Sequence, residues 1–164
     1  MNIVSVIGQG DSTEAQEAQA YELGKLIAEA GHAIVCGGMG GVMQAVSRGA
    51  SEHEGLCIGL LPGYKQNEGN PYLTLGIPTG LGHVRNVLVA RAAGAVVAIG
   101  GGYGTLSEIA FALTMGKTVI GLNTWSAESH AGIPAEIIKV QSPEEAMIEI
   151  EKVFNEGGNH TRGS

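Results

Sequence analysis

Residues 96–113 read VVAIGGGYGTLSEIAFAL. An apolar, β-branched run stops at three consecutive glycines, a fourth follows Tyr103, and a helix-like segment comes after. A turn needs one glycine or two. Four indicate a backbone that another group approaches very closely. Strand, glycine loop and helix in that order form the repeating unit of a parallel sheet wrapped by helices.

Working outward, the same unit recurs. Strands are predicted at 3–7, 33–36, 57–61, 73–77, 95–99, 118–122 and 137–140. These runs are nearly continuous in apolar residues, as strands covered on both faces are. Between the first two, Ala20, Leu23, Ile27 and Ala30 step by three and four along one stripe, with Ser12 or Thr13 as N-cap and Gly31 as terminator. Further helices are predicted at 41–52, 83–94, 105–116 and 143–155, and the Pro, Gly and Asn density of 62–72 predicts an irregular loop. The fold class is therefore α/β: a Rossmann-like, doubly wound, mainly parallel sheet of about seven strands with helices on both faces.

The 164 residues suffice for one domain, expected over 1–156, with 157–164 a disordered tail or cloning remnant lacking apolar anchors. The 27 glycines follow no Gly-X-Y repeat, which excludes collagen. A net charge of −7 with no basic block argues against nucleic acid or an anionic membrane as partner. Cys36 and Cys57 lie in apolar runs and read as buried free thiols. No Cys or His spacing suggests a metal site, and no resident cofactor is expected. The chain opens directly on NIVSVIG, without the apolar core of a signal peptide, and no run is long enough to span a bilayer, so a cytoplasmic location is expected.

Three glycine clusters stand at strand ends and precede helices: IGQGDS at 7–12, CGGMGGVM at 36–43 and GGGYGT at 100–105. A helix N-terminus presents unpaired N–H groups and partial positive charge, so phosphate is the natural guest. The expected binding residues are Gly8 and Gln9; Gly37, Gly38, Met39, Gly40, Gly41 and Met43; and Gly101, Gly102, Tyr103, Gly104 and Thr105. A dinucleotide site is disfavoured, because Thr13 stands where the third glycine belongs and the second strand leads into Gly37 and Gly38 rather than an acid. No Walker loop is present either, since no glycine cluster leads into Lys-Ser or Lys-Thr.

GGGYGTLSE resembles the PGGxGTxxE signature of the LOG family, formerly labelled lysine decarboxylase-like, and GGMGGVM is similar to its upstream GGxxGLMG segment. Arg85, Arg91 and Glu108 reproduce the family's Arg and Glu spacings. The resemblance implies binding of a nucleoside 5′-monophosphate and hydrolysis of its N-glycosidic bond to free base and ribose 5-phosphate, with Arg85 and Glu108 catalytic. Its members are typically dimeric, which implies a homodimer or higher homo-oligomer, with helices 83–94 and 105–116 offering apolar faces. The departures are Gly100 for the signature Pro, Val84 and Asn86 around Arg85, and Gln44 at the end of the upstream motif. This HVRN variant is similar to a neighbouring branch that includes molybdenum cofactor carriers, which bind a pterin phosphate without transforming it. The alternatives to hydrolysis are thus a non-catalytic carrier of that cofactor or a nucleotide-sensing module, and the ligand is AMP-like or a pterin phosphate.

Individual residues admit two readings. Thr105 and Glu108 have the spacing of a capping box, in which Glu108 reaches back to the helix start. Its charge would equally suit a developing ribosyl cation, with a neighbouring arginine keeping it ionised. Arg85 is either a ligand-holding cation or half of a surface ion pair. Tyr103 either stacks on a base or covers its loop.

Overall fold

The computed structural model describes residues 1–159. Seven strands form one sheet, β1 (Ile3–Gly8), β2 (Ala33–Cys36), β3 (Leu56–Leu61), β4 (Leu75–Pro78), β5 (Ala95–Ile99), β6 (Thr118–Leu122) and β7 (Ile137–Val140). Their order is β4-β3-β2-β1-β5-β6-β7 and every pairing is parallel. The chain builds outward from β1 to one edge, then returns to lay β5 against the other side of β1. That reversal opens a crevice above the C-terminal ends of β1 and β5, where Gly8 is level with Ile99.

Side chains alternate between two cores. One face of the sheet, with Val4, Val6, Ile34, Val97 and Ile99, meets α1 (Glu14–Glu29), α2 (Val42–Glu52) and α5 (Pro143–Asn159) through Leu23, Ile27, Val46 and Ile150. The other face, with Ile7, Val35, Val96 and Val119, meets α3 (Asn86–Arg91) and α4 (Tyr103–Thr114) through Val89, Ala90, Ile109 and Ala112. Cys36 and Cys57 are buried free thiols, 3.9 Å apart at Sγ.

Thr13 caps α1 in a reciprocal pair with Gln16, accepting from Gln16 N at 3.2 Å while Gln16 Oε1 accepts from Thr13 N at 3.0 Å. Three predicted helices differ in detail. The helix expected over 83–94 is a 3-10 turn, Gly82–Arg85, running into the short α3, and this tighter winding carries Arg85 inward. The helix expected from 105 begins at Tyr103, because Gly102 leaves the glycine loop in extended conformation and is itself the N-cap. α5 runs to Asn159, into the stretch expected to be a tail; the rest of that stretch, 160–164, lies outside the described residues. Among the described residues no helix is long and apolar enough to cross a membrane.

Candidate functional site

Of the helices that start near the crevice, only some leave their first N–H groups for a guest. α1 is closed by its own Thr13–Gln16 cap. At α2, the Val42 N–H donates to Gln9 O at 3.2 Å, which ties the first glycine loop to the second. At α4, Gly102 supplies no capping side chain, so the opening N–H groups have none of the usual side-chain acceptors. Such a helix start suits an anion, which the helix dipole also favours.

This corrects the capping-box reading of residues 105–108. With α4 starting at Tyr103, Thr105 lies within the first turn and Glu108 in the second, too far along to reach the helix start. Both side chains are buried instead, at 2% and 6% exposure, and both line a cleft of about 420 Å³. That volume suits a small ligand.

Arg85 faces them from the 3-10 turn, 8% exposed. Its guanidinium donates to Gly37 O at 3.3 Å and to Asn86 Oδ1, while Nε has no partner. An added Cβ at Gly37 would sit 2.8 Å from Arg85 Nη2, so the second glycine loop is shaped to admit this side chain. Asn70 holds the loop there: its backbone N–H donates to Gly38 O at 2.8 Å and its amide to Met39 O at 3.1 Å. The irregular loop 62–72 thus braces the site.

Burial pushes the Glu108 carboxyl up to about 8, against the pull of Arg85 in the other direction. Burial therefore opposes the arginine, and the carboxyl is harder to ionise than the sequence alone suggests. Burial likewise lowers Arg85, partly restored by Glu108. A buried guanidinium beside a carboxyl whose ionisation burial disfavours keeps negative charge in the cleft low.

Among the residues read from the sequence, Gly8, Gln9, Met39, Met43, Arg85, Gly102, Gly104, Thr105 and Glu108 line this cleft. Others lie elsewhere. Gly37 and Gly38 stand behind it, packed on Arg85 and on Leu61. Gly41 faces a separate hollow between α1 and α2, and nothing packs where a Gly40 side chain would be. Gly101 lines a neighbouring hollow with Trp125, and Tyr103 points outward, 84% exposed. Pro62, Asn86 and Asn70 were not among the expected site residues, for they sit outside the glycine clusters; Asn86 stood out only as a departure from the family pattern, and Pro62 and Asn70 only as turn residues of their loop. Arg91 is exposed on α3.

Compared with known proteins, the chain is 44% identical over 119 residues to an uncharacterized protein of Archaeoglobus fulgidus, 73% of this chain and 78% of that one. Its fold matches the molybdenum cofactor binding protein of Rippkaea orientalis at TM-score 0.84 and 34% identity, over 93% of this chain and 97% of that one. It matches the molybdenum cofactor carrier protein of Chlamydomonas reinhardtii at TM-score 0.82 and 32% identity, over 94% and 99%. A family model, SLOG cluster4, matches residues 1–148. The chain therefore belongs to the SLOG cluster4 family.

Proposed function

We propose that the protein binds and carries a phosphorylated pterin of the molybdenum cofactor kind, without cleaving it. The observation that carries this reading is the cleft itself, in which the buried Arg85 and Glu108 face the start of α4, where Gly102 supplies no capping side chain. Hydrolysis of an N-glycosidic bond builds positive charge on the ribose, and a Glu108 whose ionisation burial disfavours is poorly suited to stabilise that charge as a carboxylate. A protonated Glu108 instead donates a hydrogen bond and leaves an anion unrepelled. The phosphate sits at the start of α4, on N–H groups within Gly102–Thr105, with Arg85 as counter-charge. The cargo is suggested by the proteins of similar fold and full-length coverage that are described as binding or carrying the molybdenum cofactor.

Incubation with AMP followed by chromatography tests it. No free adenine is expected, and protein purified from cells making the cofactor should release a pterin on denaturation. Multiple turnovers of AMP, lost in Glu108→Gln, would overturn the carrier reading in favour of hydrolysis.

A further inference from the structure

Beside the cleft, and sharing Gln9 with it, lies a second hollow of about 390 Å³ above the ends of β5 and β6. Gly100 and Gly101 form one wall, and Asn123 to Ser126, the start of the β6–β7 connection, form the other. Asn123 sits at φ +50, a left-handed conformation that is uncommon outside glycine and gathers where ligands are held. Its side chain is exposed in the hollow. Next to it, Thr124 Oγ1 donates to Gly100 O, and Trp125 Nε1 donates to Gly102 O at 3.1 Å. The wall is therefore fastened to the same loop that opens α4. Tyr103 lies nearly parallel to Trp125, with ring centroids 6.1 Å apart and planes at 27°. Tyr103, 84% exposed beside this indole and flanked by the cleft-lining Gly102 and Gly104, offers an open aromatic surface next to the hollow.

We propose that this hollow is the subsite for the flat heterocycle of the ligand, stacked on Trp125, which Tyr103 supports from its side, with its edge read by the amides of Asn123 and Gln9. The inference rests on the phosphate-binding reading of the cleft. Each amide offers both a donor and an acceptor, which fits a fused nitrogen heterocycle carrying ring N–H and carbonyl or amino groups, a pterin or a purine. Stacking on an aromatic side chain accounts for about 10- to 100-fold in affinity per ring system. Gln9, lining both spaces, would bridge the phosphate and heterocycle ends of one molecule.

Trp125 is the chain's single tryptophan, so its emission reports on this hollow alone. The full chain is titrated with inorganic phosphate, AMP and a neopterin monophosphate, by calorimetry and by Trp125 fluorescence. Phosphate should bind with Trp125 emission unchanged, whereas the two heterocyclic probes should quench it, and the tighter of them identifies the source of the ring. Asn123→Gly keeps the left-handed backbone accessible and should weaken the heterocyclic probes about tenfold, with phosphate affinity unchanged. Tyr103→Ala, which removes the ring stacked beside Trp125, should weaken the heterocyclic probes as well. Probes that bind by calorimetry without moving Trp125 emission, and with equal affinity in both variants, would overturn the subsite and leave the cleft reading standing. Failure of phosphate and both probes to bind would overturn both.

Discussion

Between pH 4.5 and about 8, Glu108 holds its proton in the folded chain and loses it in the unfolded one. The unfolded state then binds fewer protons, so Glu108 lowers stability as pH rises through this window, by up to about 1.4 kcal/mol per unit. Below it the group is protonated in both states and contributes nothing. Glu108→Gln, uncharged throughout, should remove this slope and make the protein more stable than its parent at pH 8. Chemical denaturation at a series of pH values checks this; parallel curves for the two proteins would refute it. The spacing of Arg85 and Glu108 was legible in the sequence because a motif carries it. Their burial was not, because it depends on Gly37 admitting the guanidinium and on Asn70 bracing the loop, contacts between segments far apart in the chain.

The strands were legible as elements because both faces of each are covered, leaving nearly continuous apolar runs. The start of α4 was not, since Gly102 ends the loop with no side-chain signal while Thr105 and Glu108 mimic one three residues later. The packing of α1 on α2 was hidden for a similar reason. Gly24 and Gly49 lie inside these helices, and each faces backbone of the other: a Cβ at Gly24 would run into Val46 O, and one at Gly49 into Tyr21 O. Backbone cannot step aside as a side chain can. Gly49→Ala should therefore destabilise by about 1–3 kcal/mol despite the better helix propensity of alanine. Urea denaturation measures this, and a stabilised variant would show that the two helices are free to separate.

Across the whole molecule, the layered architecture follows from strand and helix alternation, whereas the surface that meets other chains leaves a weaker imprint. Val84 at 66%, Leu88 at 38% and Phe111 at 39% exposure stand at α3 and α4 or the turn before them. Self-association through these elements is the expectation, and light scattering at micromolar concentration should return a mass above that of one chain. Leu88→Lys should shift it toward the monomer; a parent protein already monomeric would refute the expectation. The strand order has a consequence for synthesis. β1 is made before the other strands of the sheet but keeps one hydrogen-bonding edge open until β5 arrives, since Val4 pairs with Ala95. A half-made chain therefore presents the apolar centre of its future sheet as an unpaired edge, the form in which strands recruit neighbours. Closing that pair is a long-range step that local contacts cannot hasten, so the protein should be a slow folder that benefits from shielding while it emerges.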